Sequence, residues 1–270
     1  MFVICLFGIF NYNIYLKLIM QEIYIDRSGN GFPLVLVHGF LGSSDMWRYQ
    51  KDFLKKNFTI IAPALPGFGE SSKINSSSSI EEMASIITNS IKKLGIDKFH
   101  LMGHSMGGMI VQEMVKQSPL SIHKLICYGT GPIGDIPGRF ESIDVSRKRL
   151  ADDGLKATAY RIAKTWFVKE DRAKNFFLCK EAYANVIEKS ADDALVAMKN
   201  WSGINNLKNI KNETLIIWGE FDKAYNYKQV ETLNENIPES RLQIIKGCSH
   251  NVHLEKEDEF NNYILDFLKD

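Results

Sequence analysis

The sequence predicts an α/β fold in which a mostly parallel central sheet is flanked by helices and carries a helical insertion between two of its strands. Short apolar runs rich in β-branched residues recur between helical patterns, which is typical of alternating strands and helices. The apolar residues follow one another in these runs and do not alternate with polar ones as in a half-buried strand, so we expect strands that are buried on both faces. The alternation stops over residues 131–208, where amphipathic helical patterns follow one another.

Each strand is predicted from one apolar run. The segment QEIYIDRSGNGFPLVLVHGF, which follows Met20, predicts a first strand, a turn at glycine and asparagine, and a second strand. The runs that predict the buried strands are PLVLV (33–37), FTIIA (58–62), FHLMG (99–103), KLICYG (124–129), TLIIWG (214–219) and RLQII (241–245). The chain has 270 residues, of which 45% are hydrophobic, and is therefore long enough to bury a core of this kind.

One helix is predicted over residues 79–94. Ser79 and Glu82 have the spacing of a capping box, and Gly95 follows the last apolar residue as a stop signal. The apolar stripe of this helix consists of Ile80, Met83, Ile87, Ile91 and Leu94.

The helical patterns between the fourth and fifth buried strands predict an insertion placed on the sheet. One apolar stripe consists of Leu155, Ala159, Ile162, Ala163 and Trp166, and another begins with Leu195 and Met198. We therefore expect a core formed by residues 20–130 and 209–270, with a helical cap over residues 131–208.

The charge and cysteine content limit the classes of partner and of metal or disulfide site that we expect for the chain. The 33 basic and 32 acidic residues leave a formal net charge of +1, and no block of five like charges occurs. This composition indicates neither a nucleic-acid surface nor an anionic-membrane surface, so we expect a small-molecule partner. The four cysteines lie far apart and lack zinc-ligand spacing. They predict free thiols in a reducing, cytoplasmic setting and no metal site.

The N-terminal run MFVICLFGIF is apolar but resembles no standard targeting segment. It lacks a basic region and a clear cleavage site, and NYN interrupts it well short of the ~20 apolar residues that a membrane helix needs. The first predicted strand follows Met20 closely. We therefore expect translation to start at Met20, residues 1–19 to be an extension, and no stable membrane association.

Ser105 is the candidate nucleophile. It lies in the pattern Gly103-x-Ser105-x-Gly107-Gly108, after the strand FHLM and before the helical run MIVQEMVKQ. This strand-turn-helix context is the one in which a serine is held at a strained turn with its hydroxyl raised above the sheet. The glycines are expected because side chains at those positions would collide with the turn.

A serine hydroxyl needs a base, and the base needs an acid that orients it. In a sheet of this type the chain order is serine, then acid, then histidine, each after a strand. Asp222 follows TLIIWG and is preferred over Glu220, because a few residues are needed to turn the carboxylate back toward the sheet edge. His250 follows RLQII in a glycine-containing loop and is preferred over His253.

The remaining histidines are expected to be structural. His253 lies where the last helical segment begins, and we interpret it as a surface or helix-capping residue. His100 lies within a strand and is expected to pack there. His38 is expected to hold its loop, and His104 to contribute its backbone position more than its imidazole.

Attack on a carbonyl also requires donors for the developing negative charge. The segment VHGFLGSSDMW follows the strand 33–37, and its loop can present the backbone N–H of Phe40. The backbone N–H of Met106 points to the same position, directly after the nucleophile. Phe40 and Met106 are therefore the predicted oxyanion-hole donors.

From about residue 20 to the C-terminus, the sequence resembles the α/β-hydrolase family. The matching motifs are HGFLGSSDMW, PGFGES, GHSMGG, WGEFD and GCSHNVHLE. The resemblance implies the triad roles for Ser105, Asp222 and His250. Serine at the nucleophile position disfavours the haloalkane dehalogenase branch, which uses aspartate there. One departure is Ala64, where the family often has an aspartate that braces the loop.

The cap segment RLADDGLKATAYRIAKTWFVKE resembles those of small-molecule esterases and of the 3-oxoadipate enol-lactonase group. Four aromatic residues are candidates for the pocket wall over Ser105: Trp166, Phe167, Phe140 and Trp201. Each of them could instead pack the cap against the core. Arg139 or Arg161 could hold a substrate carboxylate.

These observations predict a serine hydrolase without metal or organic cofactor, acting on a small carboxylic ester or lactone. One alternative keeps the triad but cleaves a carbon–carbon bond, or performs a lyase step of the menaquinone-pathway type. Another is a ligand-binding protein that has kept the hydrolase scaffold, against which the intact nucleophile, base and acid argue.

Overall fold

A computed structural model describes residues 22–269 of the chain. The strands in this part are β1 (Ile25–Ser28), β2 (Phe32–Val37), β3 (Phe58–Pro63), β4 (Phe99–His104), β5 (Ile122–Tyr128), β6 (Glu213–Gly219) and β7 (Ser240–Ile245). They form one sheet in the order β1-β3-β2-β4-β5-β6-β7. Only the β1–β3 pair is antiparallel among these strands, so the mostly parallel sheet is confirmed. The predicted extension 1–19 and the start at Met20 lie outside the described residues.

Helices cover both faces of the sheet. Those of residues 22–269 are α1 (Arg48–Leu54), α2 (Ile80–Lys93), α3 (Met106–Gln117), α4 (Ile143–Lys164), α5 (Phe176–Tyr183), α6 (Glu188–Asn200), α7 (Tyr227–Asn236), α8 (Val252–Glu255) and α9 (Glu257–Lys269). α1 and α9 pack on the face that carries Leu34 and Leu36. α2, α3 and α7 pack on the face that carries Val35 and Val37.

The central strands are buried on both faces, as their apolar runs predict. Every residue of β4 is buried, and so are the last four of β2 and the last six of β6. β7 is the exception, because it lies at the edge of the sheet and most of its residues remain partly or fully exposed.

α2 begins as predicted, with a different partner for its glutamate. The Ser79 hydroxyl accepts a hydrogen bond from the Glu82 N–H at 3.2 Å. The Glu82 carboxylate bonds the Ser77 hydroxyl, and the Ser77 hydroxyl in turn accepts from the Ser79 N–H at 3.1 Å. The reciprocal half of the capping box therefore runs through Ser77. Gly95 follows the helix with a positive φ of 72°, a conformation that favours glycine.

The cap segment, defined here as residues 131–208, contains α4, α5 and α6. α4 is interrupted at Gly154, whose φ of 78° and ψ of 168° are not helical, so its two halves run in different directions. The carbonyl of Trp166 accepts a hydrogen bond from the N–H of Asn251 at 3.0 Å, which connects the cap segment to the loop after β7. That residues 131 and 208 bound a separate domain stays a prediction.

No helix within residues 22–269 has both the length and the hydropathy that a bilayer-spanning helix requires.

Candidate active site

Ser105 occupies a strained turn between β4 and α3. Its φ of 56° and ψ of −120° lie in a backbone region that residues other than glycine rarely adopt. The N–H of Ser105 donates to the Tyr128 carbonyl at 2.9 Å, and its own carbonyl accepts from the Gly108 N–H at 2.8 Å. These bonds fix the serine between the sheet and the start of the helix, the geometry that the sequence predicts for a nucleophile.

The glycines around Ser105 are required by close backbone approach. A Cβ on Gly103 would lie 2.2 Å from the Gly107 carbonyl oxygen, and one on Gly107 would lie 2.3 Å from the Val37 carbonyl oxygen. A Cβ on Gly108 would lie 2.4 Å from the Thr130 Cβ. Carbon atoms do not approach their neighbours this closely, so the turn has this shape only with glycine at all three positions.

Asp222 and His250 meet from the loops after β6 and β7. The Nδ1 atom of His250 lies 2.8 Å from the Asp222 Oδ2 atom, and both side chains are buried. The other carboxylate oxygen of Asp222 accepts from the N–H groups of Ala224 at 2.7 Å and Tyr225 at 3.0 Å. With its Nδ1–H directed at a fixed carboxylate, neutral His250 has an unprotonated Nε2 that can accept a proton.

Ser105 and His250 line the same narrow cavity. Its volume is about 10 Å³, roughly the space of one water molecule. Trp166 contributes to the wall, and its indole centroid lies 6.0 Å from the His250 ring. Two of the three predicted triad residues, Ser105 and His250, therefore line one cavity, and the third, Asp222, is hydrogen-bonded to His250.

The two rivals for the acid and base roles have other partners. Glu220 is exposed, and its carboxylate accepts from the Gly247 N–H at 3.0 Å. The expectation that His253 is a surface residue is wrong, because it is fully buried with its Nδ1 atom 2.9 Å from the Tyr128 hydroxyl. α8 turns this side chain inward, where burial lowers its pKa to about 3. The Tyr128 hydroxyl also donates to the His250 carbonyl at 2.8 Å, so Tyr128 and His253 support the loop that carries His250.

The two predicted oxyanion donors flank the serine. Neither the Phe40 N–H nor the Met106 N–H donates to a protein acceptor within residues 22–269. A Cβ on Gly39 would lie 2.9 Å from the Ser105 Cβ, so the loop before Phe40 lies directly against the nucleophile. Two free main-chain donors near one hydroxyl are what an oxyanion hole needs, and that role stays a prediction.

His38 holds this loop in place. Its Nδ1 atom lies 2.9 Å from the Gly39 carbonyl oxygen, to which it can donate. Its Nε2 atom accepts from the Leu65 N–H at 3.0 Å, next to Ala64, whose own N–H donates to the Tyr24 carbonyl. Burial lowers the pKa of His38 to about 4, so the ring stays neutral at pH 7.

The burial of His38 predicts an acid-sensitive fold. Its pKa falls from the ordinary 6.5 to about 4 on folding. The unfolded chain therefore binds the proton more readily, and stability is lost as the pH falls from 6.5 toward 4. Between pH 7 and pH 5, His38 should lower the free energy of unfolding by about 2 kcal/mol. Urea denaturation at the two pH values should show a correspondingly smaller loss in His38→Gln. The exposed His123→Gln should behave like the parent, and an unchanged loss in His38→Gln would contradict this account.

His104 and His100 also pack in the interior. The His104 ring stacks on Tyr128 with centroids 4.4 Å apart, and its Nε2 atom is 3.3 Å from the His250 carbonyl oxygen. Its imidazole therefore packs against the loop that carries His250, a contact that the sequence did not predict. His100 contacts the ring of Phe58 at a centroid distance of 5.9 Å, in agreement with a packed strand residue.

A second cavity of about 20 Å³ meets Ser105. Phe40 and Trp166 also line both cavities. The remaining lining residues are Gly134, Ile136, Arg139, Ile143, Met198, Ala224 and Tyr225. Tyr225 lines this cavity together with Ser105, and its ring stacks on His250 with centroids 5.8 Å apart.

The other three aromatic residues predicted for the pocket wall line neither cavity. Phe167 packs against Phe176, and the Trp201 indole N–H donates to the Glu113 carboxylate on α3 at 3.1 Å. Phe140 is partly buried beneath the Arg139 guanidinium. Their places correspond to the alternative of packing within the cap or against the core.

Tyr225 was not recognised in the sequence as a pocket residue. The available signal was its position three residues after Asp222, in the loop that returns the carboxylate to the site. Among the described residues, no group of three or more histidine, cysteine, aspartate or glutamate side chains is arranged to hold a metal ion.

Comparisons with known proteins agree with the fold described above. A family model described as alpha/beta hydrolase fold matches residues 33–257. A 2-hydroxy-6-oxo-6-phenylhexa-2,4-dienoate hydrolase of Burkholderia cepacia is 27% identical, over 92% of this chain and 91% of that protein. A pimeloyl-[acyl-carrier protein] methyl ester esterase of Legionella pneumophila is also 27% identical, over 92% of this chain and 100% of that protein. The enol-lactonase structure from Burkholderia xenovorans LB400 superposes with a TM-score of 0.83 at 20% identity, over 92% of this chain and 96% of that chain.

Proposed function

This chain belongs to the α/β-hydrolase family, as its motifs predicted, and from that premise we propose that it is a serine hydrolase. Its substrate is a small carboxylic ester or lactone, cleaved through an acyl-enzyme on Ser105. The observation that carries the proposal is the buried hydrogen bond between Asp222 and His250, whose ring lines the cavity that Ser105 also lines. A protein that only binds a ligand has no need for this combination of nucleophile, base and acid.

In the first half-reaction the Ser105 hydroxyl attacks the ester carbonyl carbon. His250 accepts the hydroxyl proton at Nε2 while its Nδ1–H remains bonded to Asp222, whose charge stabilises the imidazolium. The bond between the carbonyl carbon and the alkoxy oxygen then breaks. The imidazolium returns the proton to the leaving alcohol, and the acyl group stays on Ser105.

The second half-reaction repeats these steps with water. His250 takes a proton from a water molecule, the resulting hydroxide attacks the acyl carbon, and the acid leaves as Ser105 regains its proton. In both halves the carbonyl oxygen becomes negative, and the N–H groups of Phe40 and Met106 are the donors that we assign to it.

A fluorophosphonate probe tests the proposal directly. An activated Ser105 should form a covalent adduct with the probe, and Ser105→Ala should form none, because the attacking oxygen is absent. Intact-protein mass spectrometry measures the adduct. Ser121→Ala, at a serine of the short turn before β5, is the matched control and should label like the parent. Absence of labelling in the parent, or equal labelling in Ser105→Ala, would overturn the proposal and favour a binding protein on the same scaffold.

Carbon–carbon bond hydrolysis is the second candidate. The observation in its favour is the similarity to the dienoate hydrolase named above. A panel of p-nitrophenyl acetate, p-nitrophenyl butyrate and a dienoate ring-fission product separates the two reactions, and we expect turnover of the esters. Turnover of the ring-fission product alone would replace ester cleavage by this reaction. A lyase step of the menaquinone-pathway type has no specific observation in its favour.

We further propose that the protein works in the cytoplasm. Cys127, Cys179 and Cys248 are free and buried, which suits a reducing compartment. Burial raises the pKa of the Cys127 thiol to about 12, so it stays protonated and unreactive.

A further inference from the structure

We propose that Arg139 is an anion-binding residue of the substrate pocket, and that the ester or lactone cleaved at Ser105 carries a free carboxylate. The inference rests on the proposed function and adds the chemical class of the substrate to it. It starts from the second cavity, where Arg139 and Ser105 are both lining residues.

Among the described residues, Arg139 is the only one with a charged side chain on the wall of that cavity. The other lining residues are apolar, apart from glycine and the hydroxyl groups of Ser105 and Tyr225. Asp222 lies behind this wall, where its two oxygens are already bonded to His250 and to two main-chain N–H groups. A ligand in this cavity therefore meets one cation and no lining carboxylate.

The two candidate arginines differ in their partners. Arg161 forms an ion pair with Glu141 at 2.6 Å, so its charge is already balanced. Arg139 forms no ion pair within residues 22–269. Its guanidinium donates one hydrogen bond, to the Glu141 carbonyl at 3.2 Å, and lies over the Phe140 ring at 4.6 Å. Of the five N–H donors of an arginine, most are therefore available to a ligand.

The surroundings of Arg139 favour an anionic ligand over a neutral one. Burial lowers the pKa of Arg139, because the guanidinium has lost part of its hydration without gaining a counter-ion. A carboxylate can accept two parallel hydrogen bonds from a guanidinium, an arrangement that restores the lost charge balance. The neighbouring Tyr225 cannot compete as an anion, because burial raises the pKa of its hydroxyl to about 12.

Binding can be measured without turnover in a Ser105→Ala background. The ligands are monomethyl succinate, glutarate and adipate, compared with methyl butanoate, pentanoate and hexanoate. Each pair has an equal number of acyl carbons and differs only in a terminal carboxylate or methyl group. Titration calorimetry should show tighter binding of at least one monoester than of its neutral partner. Arg139→Gln should weaken that binding by about 10- to 100-fold, the effect of a lost charged hydrogen bond.

Two further variants separate charge from folding. Arg139→Lys keeps the cation and should retain part of the preference. Arg147→Gln removes a cap arginine from a partly exposed ion pair with Asp192 and should bind like the Ser105→Ala parent. The inference is overturned if no monoester binds better than its partner, or if Arg139→Gln weakens both ligands of a pair equally. Failure of probe labelling with the carboxylate preference intact would overturn the hydrolase proposal alone.

Discussion

Replacing Asp222 with asparagine should lower kcat for p-nitrophenyl butyrate by about 10⁴-fold. The Asp222 carboxylate accepts the Nδ1–H of His250 and two main-chain N–H groups at once. An amide can keep the shape of this contact but offers an N–H group or a neutral oxygen to His250. The ring then loses the tautomer that leaves Nε2 free, and the imidazolium loses its counter-charge. Initial rates of p-nitrophenolate release, and the rate of inactivation by the fluorophosphonate probe, both measure the effect.

Glu220→Gln is the matched control for Asp222→Asn. Glu220 lies in the same loop, and its exposed carboxylate bonds only the Gly247 N–H among the described residues. We expect a change of less than about 3-fold, because the lost interaction is a surface contact. A loss in Glu220→Gln as large as that in Asp222→Asn would mean that the acid has been assigned to the wrong residue.

Gly107→Ala should lower the free energy of unfolding by about 3 kcal/mol, near the upper end of the usual cost of overpacking. The added Cβ would lie 2.3 Å from the Val37 carbonyl oxygen and 2.6 Å from the His38 carbonyl oxygen. Both atoms are main-chain atoms of β2 and the loop that follows it, so a side-chain rotation cannot relieve the clash. Urea denaturation monitored by tryptophan fluorescence measures the change. Because α3 must move away from the loop of Phe40, ester turnover should fall as well.

Gly95→Ala is the comparison for this substitution. Gly95 has a φ of 72°, and a Cβ there would have no atom within 4 Å. The cost should therefore be only that of a left-handed conformation, about 1 kcal/mol. Equal destabilisation by the two alanines would mean that the close approach at the turn does not control stability.

The sheet could be predicted from the sequence because burial on both faces leaves a local signature. Runs such as PLVLV (33–37) and LIIW (215–218) are apolar throughout, as expected for a strand that helices cover on both sides. The candidate triad could be predicted for a related reason. Ser105, Asp222 and His250 each follow a strand, and parallel strands bring their carboxyl ends to one edge of the sheet.

The lining of the pocket could not be predicted, because it depends on pairs of residues that are distant along the chain. Both Trp166 and Trp201 are tryptophans at the end of an amphipathic pattern, so the sequence does not distinguish them. Only the structure shows that Trp201 donates to Glu113, 88 residues earlier in the chain, and so cannot face the cavity. The distinction between Arg139 and Arg161 likewise depends on which of them forms an ion pair with the Glu141 carboxylate.

The burial of His253 also depends on a partner that is distant along the chain. Its position beside α9 suggested an exposed residue, but the direction of a short helix decides whether a side chain meets water or the interior. The Tyr128 hydroxyl, which contacts the His253 Nδ1 atom, belongs to a residue 125 positions earlier in the chain. No pattern within the loop contains that information.

The two cavities beside Ser105, about 10 and 20 Å³, are smaller than the esters and lactones that we propose as substrates. A substrate can therefore enter only by displacing part of the wall, and each molecule that reacts must first provide the free energy of that rearrangement. Two esters of equal intrinsic reactivity can then differ in rate because they differ in how easily they enter the cavity, before any bond is broken. For a substrate that reacts slowly, the rate can therefore depend more on the free energy needed to displace the packed wall than on the chemical step at the proposed triad.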